Sequence, residues 1–261
     1  MADSEGGAEF ARAVAFEEAL VETIADTEQA FRWGTALFTS VVPGIYDLNF
    51  VRVDAEDDAI TAETLAAECD RLMAPGDFAH RKVVVTRERV GARVAAGFAA
   101  LGWRVTKLVW MVHRRPPDRS ATTAVDEIAH PVHTAAKEEF NRRDPYFEGE
   151  EVLRQMRIVA GLVSAATDKR CFAAYVDGAV ASMCELYSDG STAQIEDVAT
   201  LEEYRGRGLG TSVVLRALSE AQTWNHDMIF LVADEDDWPK KLYEEMGFDP
   251  VGRTYQFLLT T

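Results

Sequence analysis

The sequence predicts an α/β protein made of two similar mixed-sheet units in tandem, of which only the C-terminal unit is complete. Residues 192–224 read as a strand, a glycine-rich turn and a helix, which is an α/β unit in itself. Residues 98–103 and 243–248 align without a gap, and each segment ends a helix at a glycine followed by an aromatic residue. A proline-rich break at 116–120 separates the two regions. We therefore expect domains at residues 1–115 and 116–261.

The first domain shows alternating helix and strand patterns. A Pro-Gly pair at 43–44 predicts a hairpin turn between two of its strands. Hydrophobic spacing predicts helices at 9–30, 61–73 and 87–101, and strands at 35–42, 45–53, 82–86 and 103–113.

The second domain has two predicted helices, then a run of strands, and then the strand–turn–helix unit. An arginine-rich turn at 142–145 joins the two helices, and Asp177-Gly178 predicts a hairpin. The predicted helices are 132–141 and 150–166, one that begins at 211 and one that includes 239–246; the predicted strands are 171–176, 179–187, 192–200 and 228–232.

The most informative segment is residues 205–210, with the sequence Arg-Gly-Arg-Gly-Leu-Gly, directly after the strand at 192–200. Three glycines remove the Cβ atoms that would keep a ligand away from the backbone. The free N–H groups and the positive dipole at the helix start then form an anion site. Arg205 and Arg207 add permanent charges that suit phosphate oxygens. The segment therefore predicts a phosphate-binding loop.

Spacing separates three known phosphate motifs. A Walker loop requires a lysine after its last glycine, but Gly210 is followed by Thr211. Thr211 also stands where a dinucleotide-binding fingerprint requires its third glycine. The remaining pattern is Arg-x-x-Gly-x-Gly directly after a strand. The alternative to a phosphate-binding function is an ordinary glycine-rich turn with solvated arginines.

Together with Leu-Tyr-x-x-x-Gly-Phe at 242–248, this loop resembles the acetyl-CoA loop and last helix of the GCN5-related N-acetyltransferase (GNAT) superfamily. The fold class that the resemblance implies is α/β, with two GNAT-like mixed-sheet units in tandem. It also implies acetyl-CoA as the acetyl donor. The residues expected to contact acetyl-CoA are Val198, Ala199, Thr200, Arg205, Gly206, Arg207, Gly208, Leu209, Gly210, Thr211 and Asp236.

Acetyl transfer requires an amine that loses a proton, a donor for the developing oxyanion and an acid for the leaving thiolate. By resemblance, a backbone N–H near Val198 is the oxyanion donor and Tyr243 is the general acid. The alternative for Tyr243 is a tyrosine that only packs at a helix end. Glu196 is our candidate base because it alternates onto the same side of the strand as Val198. An exposed strand carboxylate is the competing interpretation, and Asp197 or Glu185 could replace it.

This sequence departs from the family pattern in two places. Asp236 stands where the family often has asparagine, and Pro239 stands where a small residue is usual. Both departures put the acetyl-CoA contacts of that turn in doubt, although not those of the loop.

The first domain resembles a degenerate copy in which two features are lost. Phe98 aligns with Tyr243, so the hydroxyl group is missing. Residues 54–58, Asp-Ala-Glu-Asp-Asp, replace the arginine–glycine loop and would repel a diphosphate. We expect no cofactor site there. The alternative is that two unrelated α/β segments share a similar helix end by chance.

The net charge of −17 excludes nucleic acid as a favourable partner, and it could attract a cationic amine. Solubility is the simpler explanation of that charge. The sequence contains neither a membrane-spanning run nor a signal peptide, and the three cysteines have no ligand spacing, so we expect reduced thiols in the cytoplasm. We expect no metal, since a solvated or capping role suits His130 and His133 better. The oligomeric state is open between monomer and homodimer.

The sequence thus predicts an acetyl-CoA-dependent N-acetyltransferase that acts on the amine of a small, possibly cationic molecule. The rival prediction is a non-catalytic acyl-CoA-binding or interaction protein in which both copies have degenerated. The intact loop at 205–210 and Tyr243 favour the enzyme.

Overall fold

The computed structural model describes residues 2–76, 78–143 and 149–260. Its helices are α1 (Ala2–Ile24), α2 (Ala62–Met73), α3 (Glu88–Ala100), α4 (His130–Arg143), α5 (Glu150–Ala166), α6 (Leu209–Thr223) and α7 (Pro239–Glu245). Its strands are β1 (Thr27–Phe31), β2 (Gly34–Phe38), β3 (Phe50–Val53), β4 (His80–Val85), β5 (Arg104–His113), β6 (Asp126–Ile128), β7 (Asp168–Val176), β8 (Ala179–Ser188), β9 (Thr192–Thr200), β10 (Met228–Asp234) and β11 (Phe248–Thr260).

The chain forms two compact units, and their boundary does not follow the order of the chain. The first unit contains the residues up to Trp110 together with 234–236 and 252–260; the second contains 111–233 and 237–251. The sequence places the domain boundary at 115/116, whereas the contacts divide the chain at 110/111 and give the last strand mainly to the first unit. The boundary at 115/116 is the predicted end of the first repeat. The boundary at 110/111 instead follows from how the folded chain packs.

In the first unit the strands lie in the order β1-β2-β3-β4-β11. The strands β1, β2 and β3 are antiparallel, β3 and β4 are parallel, and β11 pairs antiparallel with β4. Helices α2 and α3 carry amphipathic stripes, and these cover a core that includes Leu65, Val83, Phe98 and Phe257. Phe98 is stacked on Phe257 with ring centroids 4.1 Å apart.

The predicted helix at 9–30 is wrong in its last residues. Helix α1 ends at Ile24, and residues 27–31 form the edge strand β1 instead. Four of the five residues of β1 are exposed, so the strand lacks the alternation of apolar and polar residues that would have revealed it. Its conformation is set by pairing, since Thr27 lies opposite Phe38 and Phe31 opposite Gly34.

The predicted hairpin across 43–44 has the right partners but the wrong connection. Strands β2 and β3 pair antiparallel, yet residues 39–49 between them form a longer loop with a short 3₁₀ helix at Tyr46–Leu48. The buried side chain of Asn49 organises this loop. It accepts a hydrogen bond from the N–H of Thr39 and donates to the carbonyls of Val42 and Ile45.

In the second unit the strands lie in the order β10-β9-β8-β7-β6. The strands β6 to β9 are antiparallel and β10 is parallel to β9. Helix α5 and strand β9 have the predicted bounds, whereas the short strand β6 was not predicted. Of the predicted turn at 142–145, residues 144 and 145 lie outside the described residues.

The two units repeat one order of elements. Three antiparallel strands are followed by a loop, a helix, a parallel strand and a second helix: β1-β2-β3, α2, β4 and α3 in the first unit, and β7-β8-β9, α6, β10 and α7 in the second. This repeated topology supports a tandem arrangement, with β3 and β9 at equivalent places just before the loop.

Candidate active site

The strand β9 leaves its ladder with β10 in its second half, and its pairing with β8 is interrupted there by an irregularity. The parallel ladder with β10 joins residues 192–194 to 228–230, although β10 continues to Asp234. On the other side, Met183 pairs with Ala199 and Glu185 pairs with Glu196, so two residues of β9 stand opposite the single residue Cys184. This is a β-bulge, and a bulge leaves backbone groups outside the ladder.

The bulge consists of Asp197 and Val198. Asp197 has a φ of 55°, in the left-handed region that aspartate tolerates better than most residues. A left-handed residue changes the direction of the next peptide unit, and here that unit carries the N–H of Val198. The family resemblance led us to expect an oxyanion donor near Val198, and Val198 lies in the bulge, in the part of β9 that is not paired with β10.

The glycine-rich loop leads from β9 into α6. Gly208 is the N-cap residue of α6 with a φ of 78°, and its cap has no side-chain hydrogen bond. The N–H groups of 208–211 therefore precede the first bond of the helix, which Ser212 donates to the carbonyl of Gly208 at 3.0 Å. A row of such groups, together with the helix dipole, suits an anion.

The predicted residues Thr200, Arg205, Arg207 and Gly210 lie between the end of β9 and the first turn of α6. Arg205 Nε donates to the carbonyl of Thr200 at 3.3 Å, and Arg207 lies over the ring of Tyr204 with its guanidinium carbon 5.1 Å from the centroid. Both arginines are exposed. A Cβ on Gly210 would meet Thr200 Oγ1 at 3.3 Å, so the end of β9 and the first turn of α6 are in direct contact.

Thr122 closes one side of the loop. Its hydroxyl group donates to the carbonyl of Arg207 at 3.1 Å, and its N–H donates to Ser212 Oγ at 2.9 Å. A Cβ on Gly208 would stand 2.6 Å from Thr122 Oγ1. Gly208 thus meets a steric requirement as well as a conformational one. The sequence could not reveal this, because Thr122 lies far from the loop along the chain.

Tyr243 is buried in α7, where it contacts Phe248 edge-on. Burial raises the pKa of Tyr243, and the nearby carboxylate of Glu196 raises it further. The phenol therefore keeps its proton at neutral pH, as an acid for a thiolate must. Glu196 on β9 and Tyr243 on α7 thus interact electrostatically although they are far apart along the chain.

Glu196 is partly exposed, and its Oε2 accepts a hydrogen bond from Gln194 Nε2 at 2.8 Å. Its two alternatives are bound to cations. Glu185 is buried with Lys169 Nζ 2.7 Å from its Oε1, and Asp197 forms an ion pair with Lys137. Burial opposes ionisation, yet Lys137 and Lys169 lower the pKa of Glu185 to about 2. A carboxylate with that pKa is a poor proton acceptor at neutral pH.

The expectation that His133 is solvated or a helix cap is wrong. His130 is exposed, but His133 is only 1% exposed and lies 3.3 Å from Glu185 Oε1 through its Nδ1. It is buried because α4 turns this face toward β7 and β8. The signal was present as the spacing of His133 and Lys137, which places them on one face of a helix.

Three potential metal ligands meet at this point. Atoms of His133, Cys171 and Glu185 lie within 4.8 Å of one another, and all three residues are buried. Lys169 occupies Glu185 Oε1 directly, and burial raises the pKa of Cys171 to about 12. An adjacent ammonium group and a protonated thiol make this cluster a poor cation site. It suits an internal ion-pair network instead.

The corresponding place in the first unit is closed. The ladder of β3 and β4 continues to Val53 and Val85, at the end of both strands. Helix α2 begins with a capping box, in which the Thr61 and Thr64 side chains bind each other's N–H groups. Asp57 accepts from the N–H of Ala59 at 2.8 Å. These polar groups therefore form hydrogen bonds within the segment itself.

Two further predicted residues belong to the first unit. Phe98, the counterpart of Tyr243, is fully buried in the core of the first unit. Asp236 is exposed in the short segment that the contacts assign to the first unit, where its N–H donates to Asp234 Oδ1 at 3.0 Å. Pro239 begins the seven-residue helix α7, where a missing N–H costs nothing.

The three cysteines, Cys69, Cys171 and Cys184, are buried and free. Among the described helices, none combines the length and the apolar character that a bilayer crossing requires.

Comparison with known proteins agrees with this geometry. The model of the acetyltransferase (GNAT) family matches residues 131–248. A conserved protein of unknown function from Staphylococcus epidermidis ATCC 12228 is similar over 91% of this chain and 94% of its own, with a TM-score of 0.67 and 15% identity. No curated protein sequence gives a significant match.

Two other solved structures share the fold. A GCN5-related N-acetyltransferase from Kribbella flavida has a TM-score of 0.60 at 16% identity, and covers 96% of this chain and 95% of its own. A tandem GNAT protein from the clavulanic acid biosynthesis pathway has a TM-score of 0.51 at 16% identity, over 76% of this chain and 69% of its own. At these identities the likeness concerns the fold alone.

Proposed function

We propose that the protein is an acetyl-CoA-dependent N-acetyltransferase. Residues 131–248 match the model of the acetyltransferase (GNAT) family, whose fold supports acyl transfer. The acceptor is the amine of a small molecule. The observation that carries the proposal is the separation of β9 from β10 beside the bulge at Asp197 and Val198. This separation would leave room for a thioester between β9 and β10. The start of α6, which has no side-chain cap, follows the end of β9.

The loop at 205–210 would hold the diphosphate of acetyl-CoA. The N–H groups of 208–211 face the anion, and Arg205 and Arg207 supply charge in a protein whose net charge is −17. Thr200 lies against Gly210 in the first turn of α6, where Leu209 and Thr211 are buried. The acetyl group would then lie next to Val198, since β9 leads directly from the bulge to the loop.

The reaction requires two proton movements. As the amine nitrogen attacks the carbonyl carbon, Glu196 accepts the amine proton, directly or through water. The N–H of Val198 stabilises the oxyanion of the tetrahedral intermediate. When the C–S bond breaks, Tyr243 gives its proton to the sulfur, so that amide and free thiol leave. The proton held by Glu196 then returns to Tyr243 through solvent.

Only the second unit would bind acetyl-CoA. The support lies in the contrast between the two loops: α6 begins at an uncapped glycine, whereas α2 begins with a capping box behind an acidic loop. The first unit also has its strands paired to the end and a phenylalanine at the place of the acid.

The test is the release of CoA thiol from acetyl-CoA with a panel of amines, with the acetylated product identified by mass spectrometry. We expect turnover with at least one small amine and none when that amine is omitted. Binding of acetyl-CoA without turnover on any amine would favour the non-catalytic acyl-CoA-binding protein instead. Failure to bind acetyl-CoA would contradict both.

A further inference from the structure

The second unit contains a buried group of ionisable side chains that the proposed reaction does not use. Glu185 is at its centre and is 1% exposed. Lys169 Nζ lies 2.7 Å from its Oε1, His133 Nδ1 lies 3.3 Å from the same atom, and the Tyr187 hydroxyl group donates to Oε2. Lys137 Nζ lies 3.9 Å from Oε1. We call these five residues the Glu185 cluster.

Lys137 connects the cluster to the bulge. Its ammonium group forms an ion pair with Asp197, the bulge residue with φ of 55°. The Lys137 side chain is 20% exposed and that of Asp197 is 31% exposed, so the pair is screened from most of the solvent. Lys137 lies on α4 and Asp197 on β9, so the ion pair joins these two elements.

The left-handed conformation of Asp197 is not the one that an aspartate backbone favours without further interactions. A left-handed φ is unfavourable for residues with a Cβ, and a bulge of this kind often places glycine there. An aspartate persists in such a position when its surroundings hold it. The surroundings here are the ladder pairs Glu185–Glu196 and Met183–Ala199 on either side of the bulge, and the ammonium group of Lys137, which also lies 3.9 Å from Glu185 Oε1.

We propose that Lys137 is a positioning residue that keeps Asp197 in the left-handed conformation and thereby directs the N–H of Val198 into the reaction site. The proposal rests on the proposed function for its catalytic consequence, but its structural part stands on the ion pair and the bulge. Lys137 itself need not touch either substrate. Its role is to keep the oxyanion donor in one place before acetyl-CoA arrives.

A merely structural ion pair would act differently. Loss of Lys137 would then lower the stability of the unit, since Asp197 would lose its partner near Glu185 and Glu196. It would leave the turnover of the folded fraction intact. A positioning role instead predicts a loss of kcat, because a misplaced reacting group costs about 10²-fold for a displacement near 1 Å.

The experiment compares Lys137→Met, Lys137→Arg and the double variant Lys137→Met with Asp197→Gly. Methionine keeps the length of the side chain without its charge, and arginine keeps the charge. Glycine at 197 adopts the left-handed conformation without a partner. The readouts are the ¹³Cα and ¹³Cβ chemical shifts of residue 197, which report the sign of φ, the kcat, and the affinity for CoA by calorimetry.

We expect Lys137→Met to lose the left-handed shifts at residue 197 and about 10²-fold in kcat, with CoA affinity little changed. Lys137→Arg should keep both the shifts and most of the kcat. The double variant should regain part of the lost kcat, because the glycine restores the backbone without restoring the charge. No account based on the charge of Lys137 alone predicts that recovery.

Left-handed shifts that persist in folded Lys137→Met would overturn the proposal, as would an unchanged kcat. If Lys137→Met does not fold, Asp197→Ala and Asp197→Gly decide: the proposal requires a much lower kcat and altered shifts at Val198 in the alanine variant only. If the wild-type protein transfers no acetyl group, the shifts of residue 197 still decide whether Lys137 holds the bulge, and only the proposed function fails.

Discussion

At the scale of single residues, Tyr243 is the side chain whose chemistry is most specific. Tyr243→Phe removes one oxygen atom from a buried site, so packing changes little. If Tyr243 protonates the thiolate, kcat should fall by about 10²-fold or more, with CoA affinity almost unchanged. Steady-state kinetics and calorimetry would measure the two effects separately.

Tyr255→Phe is the matched control for this variant. Tyr255 is equally buried at 8% exposure, and burial raises its pKa as well, but it lies in the first unit stacked near Phe257. The control should keep its kcat. Equal losses in the two variants would show a general effect of removing a buried hydroxyl group, and a fully active Tyr243→Phe would assign the proton transfer to water.

His133 predicts how stability depends on pH. Burial lowers its pKa below 6.5, against the pull of Glu185, so the folded protein holds it neutral. The unfolded chain then binds a proton first, and stability falls as pH drops below about 6.5 toward the folded pKa. His133→Gln should reduce this slope below about pH 6.5. Urea midpoints of the wild type and the variant, measured against pH, would show it.

The exposed neighbour His130 supplies the control, since His130→Gln changes the same residue type three positions earlier on α4. Further acid should remove a second contribution, because the pKa of Glu185 is about 2 in the folded state and carboxylates in unfolded chains titrate near 4.3. An unchanged slope in His133→Gln would mean that the pKa of this histidine does not differ between the folded and unfolded states.

At the scale of elements, the start of α6 can be tested without damaging the fold. Gly208→Asp is unsuitable because its Cβ would clash with Thr122 and its φ is positive. Gly210→Asp is better: a Cβ there would meet Thr200 Oγ1 at 3.3 Å, and an acid in the first turn suits the helix dipole. We expect unchanged or higher thermal stability and loss of CoA binding, because a carboxylate replaces the anion.

Calorimetry should give one CoA site per chain in the wild type and none in Gly210→Asp. Gly161→Asp, on α5, makes the same charge change where a Cβ would meet nothing within 4 Å, and it should bind CoA normally. Two equivalent sites in the wild type would contradict the view that the first unit lacks a cofactor site. Normal binding by Gly210→Asp would place the diphosphate elsewhere.

The elements differ in how far the sequence could predict them. Strand β9, its glycine loop and α6 were predictable because hydrophobic period and turn chemistry change together over a short stretch. Strand β1 was not, since its exposed residues take their conformation from pairing with β2. The Glu185 cluster was not either, because it assembles residues from α4, β7 and β8. No local sequence pattern predicts contacts between residues of three separate elements.

At the scale of the whole molecule, the charge remains to be explained. The net charge of −17 persists although the proposed donor substrate is itself polyanionic, so the carboxylates do not all serve CoA. Many are already paired on the surface with arginines, as Glu138 is with Arg142 and Arg157. The remaining excess produces a field that would attract a cation over a Debye length of about 8 Å at physiological salt.

We therefore predict that the acceptor is a small cationic amine. Such an amine arrives as an ammonium ion, which the negative field concentrates. Once bound, it releases one proton to solvent to become the neutral nucleophile, and Glu196 accepts a second proton as the nitrogen attacks the thioester. The measurement is kcat/KM for a polyamine, an aminoglycoside and an uncharged hydroxylated amine of low pKa, each at rising salt. The cationic acceptors should react faster, and their kcat/KM should fall with salt while that of the uncharged amine stays level. Because the same acetyl-CoA is present throughout, the ratio between acceptors cancels any effect of salt on donor binding. A best acceptor that is neutral or anionic, or a cationic one whose ratio ignores salt, would leave solubility as the explanation of the charge.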